Sequence, residues 1–323
     1  MPECSVDGSE QQVSFSQMDG PALKSKFLGA FIGTAVGDAL GAPFEGYDRV
    51  EPEEIETVAE RLPVLTYTDD THMMLGVAES LLRCRGFDGE DMAYTFVRNY
   101  EREPYRGYGP GPPRIFRMIR DGVPWDEAAQ RLYRGGSFGN GSAMRAAPIG
   151  VFYRDNRETL RDVAYGSSQI THAHTLGREG AAIQAYAIAL ATVLEPSPDF
   201  DRAEFLSKLI NFTLEKVYRE KLNKISALMV QPDPEKTVLE LGNGIEAFNS
   251  VPTAIYCFLS RPDLFAGAVL GAISLGGDTD TIGAMTGAIS GAYLGVDAIP
   301  GRWQGKLENR RYIAELAESL CNI

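Results

Sequence analysis

The chain has 323 residues, 44% of them hydrophobic, and a formal net charge of -13. That length supports one large core or two modest ones, and the acidity excludes broad electrostatic binding of nucleic acid or anionic membrane, so that a polyanion would have to be handled in a local pocket. Cys4, Cys84, Cys257 and Cys321 lack the spacing of a zinc site or disulfide framework, which fits a reducing compartment.

Residues 1–21 are acidic, without the apolar segment of a secretory signal or the arginines of a transit peptide, and are expected to form a disordered tail. Residues 24–41 place Phe27, Phe31 and Ala35 beside Leu28, Ile32 and Val36 at helical spacing. Gly29, Gly33 and Gly37 fall four apart, and close packing of a neighbouring helix would compensate their cost in helix propensity. Gly41, Ala42 and Pro43 stop that helix. Further helices are expected over 71–85, from a cap at Asp88 through Glu101, from Pro113, and over 158–171, 176–194 and 201–218. Ser250 with Pro252 starts another, and 262–275, 280–295 and 308–321 complete the series. Segments 105–114 and 135–142 read as loops, and the charged stretch 215–237 as mobile or surface-bound. Alternating strand patterns are nearly absent. The expected class is all-α, in one domain over 22–323, with no apolar run uninterrupted enough to span a membrane.

Two carboxylate knots carry the chemistry. Thr68, Asp69 and Asp70 precede one predicted helix, and Asp278, Asp280 and Thr281 another. Either knot alone reads as a helix cap. Together they offer more oxygens than caps need, with no thiolate, a donor set suited to magnesium, calcium or manganese. Four aspartates balance two divalent cations. Glu45, on a Gly/Pro-bounded turn, is either an exposed loop residue or a general acid or base beside such ions. Asp38, on the first helix, is a supporting partner or a cap. Gly135, Gly136, Ser137, Phe138, Gly139, Asn140 and Gly141 form a glycine loop whose N–H groups can cradle phosphate, or simply turn the chain. His72, His172 and His174 lie beside these motifs, and the i, i+2 pair is a poor metal motif on a helix.

The stretches GDALGAPFE, YTDDTHM, GGSFGNGSAMR, THAHTLG and LGGDTDTIG occur in an order that resembles the ADP-ribosylhydrolases, an all-α family that includes the bacterial dinitrogenase reductase-activating glycohydrolase. Segments 87–111, 136–145 and 241–259 are similar to its ADP-ribosyl-serine hydrolase branch. The resemblance implies two Mg2+ ions, with Mn2+ as a substitute, held by Thr68, Asp69, Asp70, Asp278, Asp280 and Thr281, and Glu45 as catalytic carboxylate on a mobile flap. It implies that Gly135–Gly141 and His172 contact the diphosphate of ADP-ribose, with Asn243 and Ile245 near the distal ribose or adenine. The implied activity is hydrolysis of ADP-ribose from serine, of poly(ADP-ribose) and of O-acetyl-ADP-ribose. The alternatives are an arginine-ADP-ribose hydrolase and a non-catalytic relative. ADP-ribosylated proteins would be the partners, met through a terminal ADP-ribose by a monomer that binds neither DNA nor membrane. The cytoplasm and nucleus are the implied compartments, with the mitochondrial matrix a further family location. Ala42, Pro43 and Phe44 depart from the family's Ser-Phe-Tyr, Phe138 replaces a frequent tyrosine, and an expected aromatic falls on Leu132, beside Tyr133.

Overall fold

The computed structural model describes residues 20–323, so the expected tail lies outside them except for Gly20 and Pro21, which open the first helix. Among the described residues there are seventeen α-helices, two short 3-10 turns and no strand, so the expected all-α class holds.

A pair of glycine-rich helices organises the interior. Gly20–Gly41 lies antiparallel against Thr279–Leu294, and the two backbones touch along a seam. A Cβ on Gly29, Gly33 or Gly37 would sit 2.1, 2.2 or 2.1 Å from the carbonyl oxygen of Gly291, Gly287 or Gly283. One turn later a Cβ on Gly41 would meet the Thr279 carbonyl oxygen at 2.3 Å. Glycine is required because nothing larger fits at that separation. The four-residue glycine spacing, an expense in an isolated helix, is thus repaid by contact with a second helix of the same spacing. Both helices are buried nearly all round, with Phe27, Phe31, Ile282 and Ile289 in one continuous core. Lys26 is buried with them, its Nζ donating to the carbonyls of Leu194 (2.5 Å) and Tyr293 (2.9 Å), where two helices end.

The seam fixes the site. Because the helices run antiparallel, the C-terminal end of the first meets the N-terminal end of the other. Glu45 follows one end, and Asp278 and Asp280 stand at the other.

The structure corrects several sequence expectations. Gly20–Phe44 is long and apolar enough to cross a membrane by composition, but 83% of its apolar window is buried inside the fold. The span 201–218 falls in two helices, Arg202–Phe212 and Lys216–Val230, with Thr213, Leu214 and Glu215 between them. The stretch 215–237 contains an ordered helix that buries Tyr218, Leu222, Ile225 and Leu228. The helix assigned to start at Ser250 begins at Ala247, and Pro252 sits inside it.

Candidate active site

The two carboxylate knots converge on one cleft of about 300 Å3, lined by Glu45, Thr68, Asp69, Asp70, Asp278, Asp280 and Thr281. The first knot begins the helix Asp69–Cys84, where the Thr68 side chain accepts from the Asp70 N–H as an N-cap. Thr68 is therefore a cap and also lines the cleft. At the second knot Asp278 occupies the N-cap position of Thr279–Leu294 and makes no side-chain cap hydrogen bond. Capping does not account for that carboxylate.

Asp38 supports the first knot from below. Buried on the first helix, its carboxylate accepts from the N–H of Thr68 (3.0 and 3.1 Å) and of Thr71 (3.0 Å), and from the hydroxyls of Thr68 (2.9 Å) and Thr71 (2.6 Å). It satisfies the N–H groups of Thr68 and Thr71 at the start of the helix Asp69–Cys84 and aims both threonines. Asn140 does similar work at the second knot, where its Nδ2 donates to Asp278 Oδ2 (2.5 Å) and to Ser250 Oγ (3.0 Å).

The electrostatics are those of a cation site. Burial raises Asp69 to about 7, assisted by Asp38, and burial with neighbouring carboxylates drives Asp70 and Asp280 well above the usual range. Asp278 is raised by burial against the lowering effect of its hydrogen bonds. Asp70 Oδ1 is buried and lacks a hydrogen-bond partner. Oxygens of Glu45, Asp278 and Asp280 lie within 4.8 Å of one another. Like charges packed this closely favour either protonation or a bound cation, and an all-oxygen donor set fits a hard divalent ion. Glu45 is exposed, on the turn after the first helix, and burial followed by the Asp278 charge raises its carboxyl. Its turn is joined to the second knot, with Gly46 N–H donating to Gly277 O and Gly277 N–H to Tyr47 O, both at 2.8 Å.

The glycine loop forms the opposite wall through Ser137, Gly139, Asn140 and Gly141. It is stitched to a second segment, with Asn140 N–H donating to Ile245 O (2.9 Å) and Ala247 N–H to Phe138 O (3.0 Å). Its N–H groups are not all open to an anion. Gly136 donates to Tyr133 O (2.8 Å) and Gly139 to Ser137 Oγ (3.2 Å). Gly141 admits the His172 ring, since a Cβ there would lie 2.5 Å from His172 Cε1.

The other sequence candidates divide. His172 and Ile245 line the cleft, but Gly135, Gly136, Phe138 and Asn243 do not. Gly136 instead packs on the backbone of Ala173 and His174, and Phe138 is exposed, edge-on to His174. Asn243 holds the turn before the second knot, donating from Nδ2 to Leu275 O (2.9 Å) and accepting from Asp278 N–H (2.8 Å). His174 caps the helix Thr175–Val193 through Nδ1, and His72 pairs with the Tyr108 hydroxyl at 2.8 Å. Of Leu132 and Tyr133, it is Tyr133 that reaches the cleft. Gly107 and 109–112, expected as a loop, also form a wall of the cleft. Arg106 anchors it, stacking on Tyr67 and pairing bidentately with Glu308 at 2.7 and 3.0 Å. The density of glycine and proline beside an arginine was the available signal for a shaped wall.

An all-α fold whose acidic helix ends converge on one oxygen-lined cleft fits a class of enzymes that work around a hard divalent cation. The sequence profile of the ADP-ribosylglycohydrolase family matches residues 19–323, and the chain belongs to that family. It is 38% identical to ADP-ribosylhydrolase ARH3 of Homo sapiens over 93% of each chain, and 37% identical to the Mus musculus protein of the same name over 93% of this chain and 92% of that one. A solved structure described as an ADP-ribosylglycohydrolase-related protein complex superposes with a TM-score of 0.72 at 28% identity, covering 94% of this chain and 99% of the other.

Proposed function

We propose that the protein hydrolyses the C1″ glycosidic bond linking ADP-ribose to serine, and acts likewise on poly(ADP-ribose) and O-acetyl-ADP-ribose. The observation that carries this is the meeting of Thr68, Asp69 and Asp70 with Asp278, Asp280 and Thr281 beside Glu45 in one cleft. Its support is the similarity to the ARH3 proteins over nearly the whole chain.

The six knot residues would hold two Mg2+ ions. Bound ions supply Lewis-acid orientation of ribose hydroxyls at the reacting end. The chain's own groups do the rest. Ser137, Gly141 and His172 bind the diphosphate from the opposite wall, and Tyr133 and Ile245 shape the space beyond it. Asn140 holds Asp278, and Asp38 holds Thr68, in fixed directions, so substrate is positioned without reorganising the site. Glu45 moves the proton. Its raised carboxyl delivers a proton to the departing serine oxygen or takes one from the attacking water, and the surrounding carboxylates favour oxocarbenium character at C1″.

Glu45→Gln tests the assignment on a serine-ADP-ribosylated peptide in Mg2+. The expected result is a rate loss of about 10²–10⁴-fold with ADP-ribose affinity retained. Equal turnover by the variant overturns the role of Glu45. A coincident loss of Mg2+ affinity would make Glu45 a ligand instead, as its closeness to Asp278 and Asp280 permits. Parallel assays on serine-linked and arginine-linked peptides read the linkage, with serine expected to dominate.

A further inference from the structure

Beneath the phosphate wall lies a buried polar chain that the proton-moving step does not use. Arg145 is completely buried, yet no salt bridge reaches it among the described residues. Its guanidinium lies 4.6 Å from the Phe96 ring centroid, donates from Nη2 to Ser167 O (2.7 Å), and donates from Nη1 to Thr171 Oγ1 (2.9 Å). Thr171 Oγ1 in turn lies 2.8 Å from His172 Nδ1. The other ring nitrogen, Nε2, has no hydrogen-bond partner among the described residues, and His172 lines the cleft against Gly139 and Gly141.

Donor counting fixes the direction of this chain. A threonine hydroxyl has one hydrogen to give. Arg145 can only donate, so Thr171 Oγ1 accepts from it. The Thr171 hydrogen then needs an acceptor, and His172 Nδ1 is the one at hydrogen-bond distance among the described residues. Were Nδ1 protonated, the ring and the guanidinium would both donate to Thr171, leaving a buried hydroxyl hydrogen without a partner, at a cost of about 1–3 kcal/mol. Nδ1 is therefore the acceptor, and the ring hydrogen resides on Nε2.

We infer that Arg145 and Thr171 are positioning residues that lock His172 in its Nε2–H tautomer, so that the imidazole meets the ligand as a hydrogen-bond donor to an anionic oxygen. The ring is suited to this because it stays uncharged: burial, and then the Arg145 charge, hold His172 down at about 3, while burial lowers Arg145 to about 9. An arginine without an acidic partner thus reaches His172 through a single hydroxyl, as a directed N–H and not as an exposed cation, while its Nη1 also touches Met73 Sδ at 3.6 Å. The ADP-ribose part of the inference rests on the function proposed above, whereas the tautomer does not.

The test is ring-nitrogen NMR of the ligand-free protein, with His172 assigned by its loss in His172→Gln, together with ADP-ribose titration by calorimetry. The wild type should show His172 Nδ1 unprotonated and Nε2 protonated. Thr171→Val, near-isosteric and without the hydroxyl, should abolish that clean pattern and weaken ADP-ribose about three- to ten-fold. Thr171→Ser should restore both. A protonated Nδ1 in the wild type overturns the inference even if Thr171→Val does not fold. An unchanged tautomer in Thr171→Val overturns it too, as does a changed tautomer with undiminished affinity. A wild type that shows the Nε2–H tautomer but binds no ADP-ribose supports the relay and defeats the functional reading instead.

Discussion

Asp38 shows how much of the site is held by a residue outside the cleft wall. Its carboxylate takes two N–H groups and two hydroxyls from Thr68 and Thr71, while burial pushes it up to about 6 against the lowering effect of those bonds. Asp38→Asn leaves one acceptor oxygen where two are used and puts an amide donor against groups that donate. The expected cost is about 1–3 kcal/mol in stability and about 10–100-fold in Mg2+ affinity, read by thermal melts and Mg2+ titration; unchanged Mg2+ affinity would reduce Asp38 to a helix cap. The same acids set a pH dependence. Asp38 at about 6 and Asp69 at about 7 stand above the ordinary aspartate value of about 3.9. With a chelator present, these two carboxyls together with Asp70 and Asp280 hold more protons in the folded chain than in the unfolded one from about pH 4 to about pH 7 and outweigh His172, whose lowered value acts in the opposite sense, so stability falls as pH rises through that window. Mg2+ binds the ionised form, so its stabilising effect should grow with pH and its binding should release protons. Melts with chelator and with Mg2+ check both signs, and a chelated protein that gains stability from about pH 5 to about pH 7 would contradict the repulsion. These residues were partly legible. The aspartates were visible as oxygen donors, but a lone Asp38 inside an apolar helix shows nothing of its partners until the fold brings Thr68 and Thr71 over it. Arg145 and Thr171 were still less legible, because a buried arginine with no acidic partner leaves no pattern in the chain.

The informative element is the glycine seam. Alanine at Gly33 would place a methyl carbon 2.2 Å from a backbone oxygen, and neither helix can retreat without opening the core. Gly33→Ala is expected to destabilise by about 3 kcal/mol or more and to lower activity in step, since the seam seats Glu45 against Asp278. Gly271→Ala is the matched control. That glycine lies in the helix Phe265–Ser274 with nothing within 4 Å of its Cβ position, so helix propensity should stabilise by about 0.5–1 kcal/mol. Denaturant melts of the two variants test packing against propensity, and a Gly33→Ala protein as stable as wild type would show that the seam yields. The sequence made the first half of this arrangement readable, because a four-residue glycine period demands a close neighbour. The partner was not readable from period alone, since Gly283, Gly287 and Gly291 lie far along the chain. Helix existence was legible wherever apolar spacing was sustained, as over 176–194. Boundaries were lost where a break carries no proline or glycine, as at Thr213 and Leu214, and where charge masks a buried stripe, as in Lys216–Val230.

At the scale of the whole molecule, the charge of -13 and the cleft bear on how the polymeric substrate of the proposed function would be met. The acidic knots lie inside the cleft, and the buried cation of Arg145 sits beneath it, so attraction for phosphate is local and short-ranged. Outside it, poly(ADP-ribose) and the protein repel one another. On the proposed function a terminal ADP-ribose unit would occupy the cleft while the rest of the polymer stays in solvent, whereas an internal unit would have to bring chain on both sides against the acidic surface. Two consequences separate this from a basic-groove enzyme. Products should be predominantly single ADP-ribose units at every stage of digestion, with the remaining polymer shortening gradually. The association-controlled rate on long polymer should hold steady or rise as ionic strength goes from about 20 to about 200 mM, because salt screens repulsion. A positively charged tracking surface would give a steep fall over the same range, as counterion release requires. Size analysis of early digests and a salt series on polymers of two lengths make both measurements, and oligomeric fragments released early together with salt inhibition would place the binding surface outside the cleft.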